Sequence, residues 1–171
     1  MSQATDDLLG FLRRLRAVKD FTPEPVPPAV IEAILEVGRW TGSGGNRQPW
    51  EVVVVRDPEV RRQFGEWGAR PAAGAAVVLL LVTAGEAAAF DEGRLAERLC
   101  LAAAAHGLGA TVATLKGEGP AAAKRLLGIP DERRAVTVVA IGHPDAAARR
   151  ARPKVAQPRK PMAEFAHWDR F

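Results

Sequence analysis

Apolar residues recur at helical spacing in the first forty residues and then change to runs of strand character. Leu8, Phe11, Leu12 and Leu15 share one face of a predicted first helix, which Thr5 is placed to cap, with Asp6 and Asp7 in its first turn. The proline-rich stretch Phe21-Thr-Pro-Glu-Pro-Val-Pro-Pro is non-helical until its last prolines, which suit a first helical turn. A second helix is predicted from Pro28 to Trp40, with Val30, Ile31, Ile34, Leu35 and Val37 as its buried stripe. A glycine-rich loop, Thr41 to Pro49, leads into a strand over Glu51 to Arg56. Asp57-Pro58 then opens a short helix from Glu59 to Trp67.

The continuous apolar run Val77 to Val82 predicts a central strand buried on both faces. An alanine-rich helix follows from Glu86 to His106 and ends at Gly107-Leu108-Gly109. Its small residues Ala96 and Ala102 to Ala105 suit close packing. Thr111 to Leu115 predicts a third strand, Pro120 to Leu127 a helix stopped by Gly128, and Ala135 to Ile141 a fourth strand. Four strands alternating with helices give an α/β or α+β sandwich in one domain spanning 1–171. From 145 the chain reads as an arm with too few apolar residues for a core of its own.

Composition narrows the class. Hydrophobic residues make up 47% of the 171 and charged residues 26%, as in ordinary globular proteins. The single Cys100 excludes an internal disulfide and fits a reducing compartment, and it reads as a small core residue. The first residues carry no signal-peptide pattern, and the longest apolar run, Ala75 to Val82, is too short to span a bilayer; a cytoplasmic protein without membrane attachment is expected. The net charge of +4 concentrates in the tail, where seven basic residues from Arg149 onward face only Glu164 and Asp169. That tail lacks a nucleic-acid fold signature, so a nucleic-acid partner ranks last among the readings.

The candidate chemistry begins with exclusions. His106, His143 and His167 lack metal-ligand spacing, and Ser43 is not in a nucleophile elbow. There is no P-loop, and no dinucleotide fingerprint at a strand-to-helix turn. With no acid/base pair and no nucleophile, no catalytic side chain is assigned and the chemistry falls to a cofactor. The basic cluster Arg13, Arg14, Arg16 and Lys19 reads either as a solvated face at a helix C-terminus or as an anion site, with composition favouring the first. In the loop, Gly42, Gly44 and Gly45 permit positive φ and close approach to a ligand, and Asn46 and Gln48 can each donate and accept.

Five segments in order resemble the nitroreductase family of FMN-dependent, NAD(P)H-using oxidoreductases. They are Arg16-Ala-Val-Lys19-Asp-Phe21; Ser43-Gly-Gly-Asn46-Arg-Gln48-Pro49-Trp50; Gly107-Leu-Gly109; Leu126 to Pro130 with Ala140 to Pro144; and Arg159-Lys160-Pro161-Met162. The resemblance implies a three-layer α+β sandwich, with a central, mostly antiparallel sheet flanked by helices and residues 145–171 as an arm exchanged across a homodimer. It implies FMN at the subunit interface, and electrons passing from NAD(P)H to a small electron-poor acceptor (nitroaromatic, quinone or enone) by a ping-pong route.

Residue by residue, the resemblance places Arg16, Ala17, Lys19, Arg159 and Lys160 around the FMN phosphate and pyrimidine O2 edge. Lys19 would stabilise negative charge on the reduced ring. Gly42, Ser43, Gly44 and Asn46 would come from the second subunit, Arg70 would add a further cation, and Leu115, Lys116 and Gly117 would offer backbone N–H groups near flavin N5. Leu15 and Ala17 stand where the family has a second basic residue and a serine, and the segments Arg61 to Ala76 and Ala84 to Asp91 are short for the family. Those departures keep open a second reading: a member that binds FMN, or another flat anionic ligand, without nitroreductase turnover.

Overall fold

The computed structural model describes residues 3–151 and 158–171. Its elements run α1 (Gln3–Arg14), α2 (Pro28–Arg39), β1 (Trp50–Val55), α3 (Pro58–Glu66), β2 (Val77–Thr83), α4 (Ala89–Ala105), β3 (Gly109–Thr114), α5 (Gly119–Leu127), β4 (Arg134–Gly142), α6 (Ala146–Ala151) and α7 (Met162–Phe165). Short 3₁₀ turns lie at Gly44–Asn46, Arg70–Gly74 and Glu86–Ala88.

The four strands form one sheet in the order β1-β2-β4-β3, and all three pairings are antiparallel. Every residue of β2 is buried, as its unbroken apolar run predicts. Alternation along the strands divides the core between the two faces. Val77, Leu79, Leu81, Val139 and Ile141 pack with Ile34, Leu95 and Leu99 from α2 and α4. Val78, Leu80, Val82 and Val138 pack with Phe64, Ala72 and Ala123 on the opposite face. This is the expected three-layer α+β sandwich.

Close approach between layers rests on small residues. A Cβ at Gly38 of α2 would lie 2.6 Å from Leu99 Cδ2 of α4. Helix α4 ends in a Schellman motif: Gly107, at φ +75°, and Leu108 donate their N–H groups to Ala104 and Ala103. At the other end of the sheet, Arg134 of β4 holds the buried Glu92 of α4 and also reaches Glu86 at 2.9 Å. That clamp ties the start of α4 to the sheet.

Two expectations need correction. Helix α1 already includes Gln3, so Thr5 lies inside it and does not cap it. The arm expected from 145 begins with a helix that the sequence pattern did not predict: Asp145 Oδ1 accepts the N–H groups of Ala147 and Ala148 at 2.9 Å and opens α6. The calls on Arg152 and Lys154 lie outside the described residues.

Candidate flavin site

The segment between α1 and α2 is laid across the end of the sheet. Val18 N–H donates to the Ala110 carbonyl at 2.9 Å, Thr22 N–H to that of His143 at 2.9 Å, and Asp145 N–H to that of Asp20 at 3.0 Å. The strap lies so close that a Cβ at Gly109 would sit 2.6 Å from Val18, and one at Gly142 3.0 Å from Phe21. Only glycines fit beneath it, and the strap sets Lys19 beside β3.

The ends of α3 and β3 are fastened together near Lys19. Lys116 N–H donates to the Trp67 carbonyl at 2.7 Å, while Ala69 and Ala72 are fully buried and anchor the turn that carries Arg70 and Pro71. Lys19, Arg70 and Lys116 line one cavity of about 810 Å³, with Val112, Ala113 and Thr114 of β3 contributing its strand side. That volume is in the range of cofactor sites, about 300–1,000 Å³. Among the described residues, none of the three cations forms an ion pair; Asp20 is the one carboxylate in the lining. An apolar strand edge with unpaired cations around it suits a flat ring bearing an anionic tail, so the residues present fit FMN.

The other expected site residues are placed differently. Arg16 and Ala17 line a neighbouring cavity of about 530 Å³ with Phe11, Glu97, Cys100 and Val112. Arg16 Nη1 donates to the carbonyls of Arg13 at 2.7 Å and Leu15 at 2.6 Å, so this guanidinium closes the C-terminal end of α1. The N–H groups of Leu115 and Lys116 are already given to Val136 and Trp67, which leaves that of Gly117. Gly42, Ser43, Gly44 and Asn46 line neither of these cavities, and nor do Arg159 and Lys160, which are exposed ahead of α7.

The glycine loop has its own geometry. Gly45 takes φ +59°, but Gly42 and Gly44 do not use the left-handed region; Asn46 at +53° and Gln48 at +47° do. Non-glycine residues held there store backbone strain of the kind concentrated at ligand sites. Ser43 Oγ accepts Gln48 N–H at 2.8 Å and braces the turn. Two arginines of α4 grip the loop: Arg98 donates to the Trp40 carbonyl at 3.1 Å, and Arg94 Nη2 lies 3.0 Å from where a Gly42 Cβ would be. Sequence reading missed this grip, although Arg94 and Arg98 stand four residues apart and thus on one helix face.

Cys100 is half-buried beside the smaller cavity, and burial, with Glu97 adding to it, pushes its thiol up to about 12. It is a protonated packing residue, as expected. No metal-holding group of His, Cys, Asp or Glu is present among the described residues, and no described helix is long and apolar enough to cross a membrane.

The sandwich is an α+β fold that solved structures share. An FMN-dependent nitroreductase from Clostridium difficile superposes with a TM-score of 0.80 at 18% identity, over 95% of this chain and 99% of that one. The family model described as "Nitroreductase family" matches residues 12–88. A putative NADH dehydrogenase/NAD(P)H nitroreductase of Archaeoglobus fulgidus is 28% identical over 150 residues, 81% of this chain and 86% of that protein. An iodotyrosine deiodinase of Nematostella vectensis is 35% identical over 66 residues, which is 39% of this chain but only 25% of that protein. The chain thus shares the fold of a solved nitroreductase, and its residues 12–88 are similar to the nitroreductase family.

Proposed function

We infer that the chain is an FMN-dependent oxidoreductase that acts as a homodimer and passes electrons from NAD(P)H to a small electron-poor acceptor such as a nitroaromatic, quinone or enone. The observation that carries this reading is the cavity that Lys19 and Arg70 line together with Val112, Ala113 and Thr114 of β3. Bound there, FMN supplies reversible two-electron redox chemistry that no side chain of the cavity offers.

The protein's own residues bind and polarise. Lys19 and Arg70 hold the cofactor's negative charge and favour more of it, because fixed cations beside a partly dry site gain strength as charge grows. Gly117, whose N–H is not given to another backbone carbonyl among the described residues, would offer it to the cofactor. Val112 and Pro71 supply apolar surface that excludes water from one side. Gly42, Ser43, Gly44 and Asn46, with Arg159 and Lys160, complete the cavity of the opposite subunit. The exposed Met162, Phe165 and Trp168 of the arm support that assignment, since they find cover only on another surface. The cytoplasm is the compartment we assign.

One observation favours the second reading, binding without nitroreductase turnover. Arg16 spends its guanidinium on the end of α1, and Leu15 and Ala17 add no phosphate contact. Anaerobic mixing of the FMN-loaded protein with NADH or NADPH separates the two. Loss of the oxidised flavin band, and its return on adding a quinone, supports the oxidoreductase; a band unchanged by either nucleotide favours the second reading.

A further inference from the structure

We propose that the Lys116 side chain is a specificity-determining group that favours electron acceptors carrying a carboxylate or sulfonate. The proposal rests on the flavin reading above and concerns a group that reading leaves without a role.

Two features fix where Lys116 stands. Its N–H is held by the Trp67 carbonyl at 2.7 Å, and its carbonyl accepts the Gly119 N–H at 2.9 Å, so the backbone is pinned on both sides. Its stem lies over Gly68, where a Cβ would meet Lys116 Cγ at 2.9 Å and Cβ and Cδ at 3.1 Å. The side chain is therefore laid along the end of α3, while its ammonium forms no ion pair or hydrogen bond among the described residues. The nearby Glu118 does not line the cavity.

The two lysines of the cavity enter it from different backbone anchors. Val18, the residue before Lys19, is bonded to Ala110 at the start of β3, whereas Lys116 follows the end of that strand. At about 3.3 Å per residue, the backbone anchors of the two lysines are separated by roughly 13 Å or more along the β3 edge. The Lys116 stem, held over Gly68, keeps its ammonium near the end of α3. If Lys19 serves the cofactor's charge, the ammonium of Lys116 remains for a second anion. Beside it lie Pro71 and the exposed Thr114, a surface suited to a small ring with one charged substituent. An ammonium near a partly screened carboxylate attracts it enough to discriminate, by about tenfold, acceptors that differ only in charge.

The test uses the full-length, FMN-loaded protein and two redox-inert probes of the same shape, 2-naphthoate and neutral 2-naphthamide. Binding is read from the perturbation of the oxidised flavin absorbance, which needs no turnover. Lys116→Met keeps the stem over Gly68 and removes the charge; Lys116→Arg restores the charge. We expect Lys116→Met to weaken naphthoate about tenfold and to leave naphthamide within about twofold, with Lys116→Arg recovering most of the naphthoate affinity. The wild-type preference for naphthoate should also shrink as salt is raised. Equal effects of Lys116→Met on both probes would overturn the proposal. So would a loss of FMN affinity with the naphthoate preference intact, because it would assign the ammonium to the cofactor. A change confined to the KM for NAD(P)H would assign it to the donor and overturn it too. A wild-type protein that takes up no FMN would instead overturn the flavin reading, a result distinct from all of these.

Discussion

Trp67 and Lys116 are joined main chain to main chain, with the lysine amide donating to the tryptophan carbonyl at 2.7 Å. This bond fastens the loop after β3 to the end of α3, and Gly68, at φ +102°, makes room for it beneath the lysine stem. Gly68→Ala should therefore cost about 1–3 kcal/mol of stability, through left-handed strain plus displacement of Lys116. Urea unfolding measures it; an unchanged midpoint would show that the junction is not built as described.

The buried Glu92 and Arg134 join α4 to β4. Glu92→Ala leaves the guanidinium with the exposed Glu86 and partial hydration at 20% side-chain exposure. The expected loss is about 2–3 kcal/mol, below the full cost of breaking a wholly buried pair because Arg134 keeps one partner. Thermal unfolding of Glu92→Ala beside Glu86→Ala checks it: the first should fall well below wild type and the second only slightly.

Burial raises the Cys100 thiol from 9.0 to about 12. A group whose folded pKa is raised stabilises the fold fully below its unfolded value. That contribution is lost as pH climbs from about 9 towards 12. Cys100→Ala should accordingly flatten the alkaline fall in stability over that window. At pH 8 the native thiol should react with iodoacetamide at least about tenfold more slowly than the unfolded chain, because so little thiolate is present.

The arm carries Met162, Phe165, Trp168 and Phe171 with most of each side chain in water. Deleting residues 149–171 should give a monomer or aggregate that no longer retains FMN. Sedimentation with absorbance detection at the flavin band reads both properties, and a flavin-bound dimer after truncation would contradict the arm's role.

The sheet was legible because its strands carry period-two or unbroken apolar runs, and Gly107 and Gly128 mark the ends of their helices without ambiguity. Lys19 and Arg70 could be placed by resemblance, and both line the same cavity. What escaped sequence reading depends on partners distant along the chain. Nothing local says that Val18 bonds Ala110, or that Glu92 meets Arg134, 42 residues away. Arg16 looked like a phosphate ligand because its neighbours match a motif; its own helix end, with carbonyls in need of donors, lies nearer. The Lys116 stem escaped because its fit depends on an absent Cβ at Gly68, and Asn46 and Gln48 adopt backbone angles that their types only weakly favour.

Titration of the purified apoprotein with FMN, followed by quenching of flavin fluorescence, tests the central claim most directly. The account predicts saturable quenching by the wild type, reaching one FMN per chain, with binding weakened at least about tenfold in the double variant Lys19→Met, Arg70→Met. A wild-type protein that leaves FMN fluorescence unchanged, or a double variant that binds FMN as tightly as wild type, would contradict it.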